Sequence, residues 1–186
     1  SLAYHLSVPS IYVEQYAMVE VTEQFRSYWA HNAEMLYTLG LLLVGQPLPG
    51  LMHFASGLLT LALVCLLGWR TGGSRVALLA GLLFYSLPIV TWESGIAYAD
   101  LVVTGYAFAS LYAGLMWWLR QNDDWLTVAG LMGGLALGTK LSAIVALIPL
   151  SLFLTGALLY HRGPSRGSVV GLVRFSLPML VLVGPW

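Results

Sequence analysis

Charge is what this sequence has least of. Asp, Glu, Lys and Arg together make up 9% of its 186 residues, against about 25% in an average soluble domain. That scarcity excludes an ordinary soluble globular fold. The formal net charge is zero, so nucleic-acid binding has no electrostatic support. A single cysteine, Cys65, excludes an internal disulfide, and its place mid-way in an apolar run reads as helix packing. No GxSxG, Walker, Rossmann or CxxC pattern is present. Nor is there the HxxxH or HExxH spacing that marks a metal site. No signal-peptide pattern is visible. The first residues, Ser1-Leu2-Ala3, and the last, Gly184-Pro185-Trp186, read as the interior of a longer polypeptide.

What is present is apolar. Hydrophobic residues make up 59% and there are seven Trp; the mean hydropathy is +0.81. These values predict an all-α, polytopic transmembrane helix bundle. About six spans are expected, over residues 51–69, 76–92, 98–119, 125–139, 142–160 and 169–186, the fourth being short for a membrane core that takes about 20 residues. Trp69, Trp92, Trp117, Trp118, Trp125 and Tyr160 fall near span ends, where an aromatic belt belongs. Residues 1–50 read as an outer-face loop with juxtamembrane helices, and 51–186 as the bundle. Pro9 with Ile11, Tyr12, Tyr16 and Ala17 predicts a short interfacial helix. A second one covers 33–44, too short to span, before the break GQPLPG.

The stretch AGLMGGLALGTKLSA, residues 129–143, holds the only lysine, Lys140. Gly130, Gly134 and Gly138 precede it every fourth residue, a doubled small-xxx-small face that admits another helix closely. An ammonium here either snorkels to the membrane surface or meets an anion, most naturally phosphate.

Loop charges set the orientation. Arg70, Arg75, Arg120, Arg162, Arg166 and Arg174 fall on one side, which the positive-inside rule makes cytoplasmic. Glu14, Glu20, Glu23, Glu34, Glu93, Asp100, Arg26 and Lys140 fall on the other. Candidate site residues therefore gather at the outer face. Asp100, at the head of an apolar helix, is either an acid stabilised by the helix dipole or a carboxylate facing a cavity, partnered by Lys140 or by substrate hydroxyls. Glu93 lies seven residues earlier, at the water surface. His5 and His31 lie near acids and are candidate metal ligands, so a divalent metal stays open, without a spacing motif behind it. His53 and His161 read as interfacial; Tyr37, Tyr106 and Tyr112 read as packing.

The ordered motifs YHLSVPSIYVEQ (4–15), EMLYTLGLLL (34–43), HFASGLLTLALVCLLGWR (53–70), YADL (98–101), GLMGGLALGTKLSAIVALIPL (130–150) and the final GPW together resemble polytopic glycosyltransferases of the C superfamily. That group includes protein mannosyltransferases and the aminoarabinose transferase of lipid A. The resemblance implies transfer of a sugar from a polyprenyl-phosphate carrier to an acceptor on the extracytoplasmic face of the plasma (inner) membrane. It implies that the catalytic base, an aspartate at the head of the first outer loop, lies upstream of Ser1. Asp100 would bind sugar hydroxyls or orient the acceptor, Lys140 would meet the carrier phosphate, and Tyr4, His5 and His31 would line the donor pocket. Ala30 stands where many relatives carry proline, and the C-terminal half of such enzymes is not in this sequence. The implied partners are a lipid-linked sugar donor, membrane lipids and other membrane subunits.

Two other classes compete. One is a non-catalytic accessory subunit of a larger membrane complex. The other is a transporter in which Asp100 and Lys140 form a buried ion pair on a solute path; the clustering of charges at one face, away from the midplane, argues against it.

Overall fold

The computed structural model describes residues 5–22 and 29–186. These residues form eight α-helices, one short 3-10 turn and no strand. The helices are α1 (Ser7–Gln15), α2 (Asn32–Leu43), α3 (Pro47–Ser86), α4 (Pro88–Glu93), α5 (Asp100–Arg120), α6 (Asp124–Leu137), α7 (Ile144–Arg162) and α8 (Arg166–Val183). Four stretches are long and apolar enough to cross a membrane: α3, α5, the 3-10 turn running into α7, and α8. Helix α6 is apolar but only 14 residues long, about 21 Å by helical rise, against a hydrocarbon core of about 30 Å.

Local chemistry sets the breaks. Helix α3 is two antiparallel legs, 47–71 and 74–86, folded at Gly72 (φ −151°) and Gly73 (φ +76°). The positive φ at Gly73 is a conformation that a side chain disfavours. The legs touch where Gly68 lies on the backbone of Ala77 and Gly81 lies on Cys65 Sγ, so the single cysteine packs as its apolar setting implies. Pro88 starts α4, and the extended Leu87 before it ends α3. Asp100 and Arg120 sit in the first and last turns of α5, each matching the dipole end that it occupies. Ser165 caps α8 by accepting from the Ser168 N–H.

Helix α5 is the axis. It packs against α3, α6 and α7, and α6 packs in turn against α8. The main core gathers Trp117, Leu126, Ala129, Leu147, Leu150, Leu154, Leu158 and Phe175 from α5 through α8. The glycine face of α6 makes the α8 contact possible. A Cβ at Gly130 would stand 2.0 Å from the Phe175 carbonyl oxygen, and one at Gly134 would stand 2.9 Å from the Met179 backbone. The outward faces carry Leu59, Leu82, Val145, Leu152 and Val181, all exposed, as expected of residues facing lipid. Ser151 and Thr155 return their hydroxyls to the carbonyls of Leu147 and Ser151, so polar side chains within α7 stay satisfied without water.

A smaller core sits at one end of the bundle. There Leu6, Ala33 and Tyr37 from α1 and α2 pack on Ala99 and Val102 at the head of α5. This layer brings the polar N-terminal segment over the bundle end that carries Asp100 and Lys140.

Candidate functional site

The site is built on a helix break. Helix α6 ends at Leu137, and Lys140 adopts an extended backbone (φ −157°, ψ 126°) before the 3-10 turn Leu141–Ala143 leads into α7. The backbone groups freed by the break are taken up. Gly138 and Lys140 donate to the carbonyls of Gly134 and Ala136, and the Thr139 hydroxyl donates to the Leu135 carbonyl at 2.7 Å. Asn32, at the head of α2, ties this end to the N-terminal layer. Its N–H donates to the Gly138 carbonyl at 2.8 Å, its amide donates to the Leu135 carbonyl, and its Oδ1 accepts from the Trp186 indole at 3.0 Å. Gly138 leaves the space for that amide, because a Cβ there would lie 2.3 Å from Asn32 Nδ2. The glycine face of α6 thus seats α8 with its first two members and α2 with its third.

The break holds the Lys140 ammonium 2.5 Å from Asp100 Oδ1. The two side chains are 37% and 34% exposed. An ion pair that is this open is reached by solvent and by ligands, and its net contribution to stability is small. Asp100 is itself positioned from behind by His53, which is wholly buried. The Leu101 N–H donates to His53 Nε2 at 3.2 Å, and His53 Nδ1 lies 3.1 Å from the Glu93 carbonyl. An acceptor at Nε2 and a donor at Nδ1 define the neutral tautomer protonated at Nδ1. His53 therefore fixes the turn between α4 and α5, and with it the height of Asp100. His53 lies inside the protein because α5 starts directly over it.

A second charged group lies beneath the N-terminal layer. His5 Nδ1 is 2.6 Å from Glu34 Oε1, and His31 Nδ1 is 3.7 Å from Glu34 Oε2. All three side chains are buried. Burial pushes the Glu34 carboxyl up, but His31 beside it, the His5 hydrogen bond and the His5 charge outweigh burial and hold it below the ordinary carboxylate value. The Tyr37 hydroxyl, one turn further along α2, donates to the Tyr98 carbonyl. Burial, then the charges of Glu34 and Asp100, push that phenol up, so it remains a donor. Burial and the nearby Asp100 also push the Glu93 carboxyl up, against Lys140 and His5.

Two concavities meet at the Lys140–Asp100 pair. One is a cavity of about 340 Å³ lined by His5, Trp29, Ala30, Glu34, Ala99, Thr139, Lys140, Leu141 and Ser142. The other is an open groove of about 420 Å³ between α5 and α7, headed by Asp100 and Ser142 and continued by Val103, Thr104, Ala107, Phe108, Leu111, Ala143 and Ala146. His5, Glu34 and Lys140 stand on the wall of the first, the second runs along α5 and α7 from Asp100, and Ser142 belongs to both.

Of the residues that the sequence singled out, the structure joins Lys140 to Asp100 and His5 to His31 through Glu34. Glu93 meets the site through its backbone carbonyl on His53. Tyr4 lies outside the described residues. Among the described residues, no group of three or more His, Cys, Asp or Glu is arranged to hold a metal ion. Glu34, His53 and Asn32 were not picked out as site residues. Glu34 left a usable trace, as the one acid within the apolar stretch 33–44. The far end of the bundle is charged in its own way. Arg162 grips both oxygens of Asp123 at 2.6 and 3.0 Å, Trp117 donates to Asp123, and Arg174 reaches Asp124 at 3.2 Å.

Fold and composition define a multi-pass helical membrane protein. Residues 33–181 match the family described as dolichyl-phosphate-mannose-protein mannosyltransferase, and the chain belongs to that family of membrane glycosyltransferases. No curated protein and no solved structure matches the chain.

Proposed function

We propose that this chain is the carrier-binding portion of a glycosyltransferase that moves a sugar from a polyprenyl-phosphate carrier to an acceptor on the extracytoplasmic face of the plasma membrane. The observation that carries this reading is the position of Lys140. The only lysine stands where a groove that runs along α5 and α7 from Asp100 meets a cavity on whose wall His5 and Glu34 also stand. A lipid phosphate has the matching shape, with an isoprenoid tail for the groove, a phosphate for the ammonium and a sugar for the cavity. In transfer, the acceptor oxygen bonds to the anomeric carbon and gives its proton to a general base, the bond from that carbon to the phosphate oxygen breaks, the phosphate leaves with the electron pair, and Lys140 stabilises the charge that develops. Asp100 holds the ammonium in place when the carrier is absent, and its carboxylate turns to sugar hydroxyls or to the acceptor once phosphate takes the ammonium. The family resemblance assigns that base to an aspartate of the first outer loop. The outer-face assignment rests on the six arginines at the opposite side.

The experiment compares binding of polyprenyl phosphate and of uncharged polyprenol by the full-length protein in detergent. The expected result is at least tenfold tighter binding of the phosphate, with that preference lost in Lys140→Met. Equal binding of the two lipids by the unaltered protein overturns the reading and favours an accessory subunit.

A further inference from the structure

Glu34 has an unusual balance of bonds. Its Oε1 is held by His5 at 2.6 Å. Its Oε2 is fully buried and accepts no hydrogen bond from any described residue. The approach of His31 Nδ1, at 3.7 Å, is too long to be one. The carboxyl is held below its ordinary value, so the group is ionised in the neutral range. A buried carboxylate oxygen without a donor is costly, and native structures rarely leave one so. The residue lines the same 340 Å³ cavity as Lys140, Thr139 and Ser142, so a small shift of its side chain would bring the buried Oε2 to a molecule there.

We infer that Glu34 is the group that reads the sugar of the lipid-linked donor, with Oε2 accepting a hydrogen bond from a ring hydroxyl away from the anomeric carbon. The inference rests on the carrier-binding reading above, because Lys140 fixes the phosphate and so places the sugar on the Glu34 side. The chemistry suits a hydroxyl. A carboxylate has only acceptor capacity, and a charged acceptor in a water-poor cavity makes a hydrogen bond about twice as strong as a neutral one does. His5 is a positioning residue here. It occupies Oε1 and so leaves Oε2 as the oxygen open to a further donor, and with His31 it keeps the group ionised. A site that is built to accept from a hydroxyl discriminates against a ligand lacking it, because its own buried oxygen is then left bare.

The test uses the full-length protein in detergent with polyprenyl phosphate, polyprenyl-phosphate mannose and polyprenyl-phosphate glucose as probes. The unaltered protein is expected to bind at least one glycosylated lipid tenfold or more tightly than the bare lipid. Glu34→Gln is expected to remove that preference while leaving affinity for the bare lipid within twofold. Retention of the preference in Glu34→Gln, or its absence from the unaltered protein, overturns the inference. Failure to bind the bare lipid at all overturns the carrier reading instead, so the two failures are distinct. Infrared difference spectra of the unaltered protein are independent of how the variant folds. The preferred glycosylated lipid is expected to shift a carboxylate band that the bare lipid leaves in place, and identical spectra with the two lipids contradict the inference.

Discussion

The Asn32 N–H donates to the carbonyl of Gly138 across 106 residues of chain, at 2.8 Å. That bond ties the N-terminal layer to the end of α6, two residues before Lys140. It is the mechanical link between the membrane bundle and the polar lid that completes the cavity. The glycine face that leads up to it sets how closely the helices approach.

Adding one methyl group is expected to be severe at Gly130, on that face, and harmless at Gly156, on α7. Gly130→Ala would place its Cβ 2.0 Å from a backbone oxygen of α8, which a rotamer change cannot relieve. A loss of about 1–3 kcal/mol is expected from such overpacking, read as a lower melting temperature in detergent. Gly156→Ala meets nothing within 4 Å and is expected to melt like the unaltered protein.

At the far end of the bundle, Asp123 supplies a pH dependence of known sign. The Arg162 hydrogen bonds hold its carboxyl below the ordinary value against burial, with Trp117 assisting. A carboxyl lowered in the folded state stabilises the fold above its unfolded pKa of about 3.9, and that stabilisation is lost as pH falls through the lower folded value. Asp123→Asn is therefore expected to be less stable than the unaltered protein at pH 7, by about 1–2 kcal/mol for charge-assisted bonds. The gap is expected to narrow as pH falls below about 4. Melting curves of both proteins from pH 7 down to pH 3 check this.

Removing His53 withdraws one acceptor and one donor at once. His53→Ala leaves the Leu101 N–H without its acceptor and takes one of two donors from the Glu93 carbonyl, which keeps the Ile96 N–H. A destabilisation of about 1–3 kcal/mol is expected. Faster hydrogen exchange is expected in the α4–α5 turn, with α7 and α8 unchanged, when followed by mass spectrometry.

If an isoprenoid tail lies between α5 and α7, a bulky side chain in that groove is expected to hinder long carriers selectively. Ala107→Phe is expected to weaken binding of a long-chain polyprenyl phosphate tenfold or more. It is expected to leave binding of a two-isoprene phosphate within about threefold. Competition binding with both lipids measures the difference.

Much of this architecture is legible in the residues because its signals are local. The apolar runs, the four-residue spacing of Gly130, Gly134 and Gly138, and a lone lysine in a charge-poor chain can each be read within a window of one helix. The helix 33–44 and its proline-flanked break emerge in the structure as α2, Asn32–Leu43, followed by α3 starting at Pro47. The contacts that make the site are not local. His5 and Glu34 are 29 residues apart, and His53 meets a backbone N–H 48 residues on. No spacing rule links such pairs, and only the packing of α1 and α2 on the head of α5 brings them together. The 69–75 stretch reads as a basic loop, yet helix runs almost through it with only Gly72 and Gly73 departing. Two glycines suffice to fold the hairpin, so little loop remains.

The central claim is that Lys140 stabilises the phosphate that leaves during transfer. Its most direct measurement is the rate of sugar transfer from a radiolabelled polyprenyl-phosphate sugar in membranes containing the full-length protein. Lys140→Met is expected to lower that rate by a factor of 100 or more, and Lys140→Arg, which keeps the charge, to retain a measurable fraction, with both variants melting within a few degrees of the unaltered protein. Transfer by Lys140→Met at the unaltered rate would contradict the account.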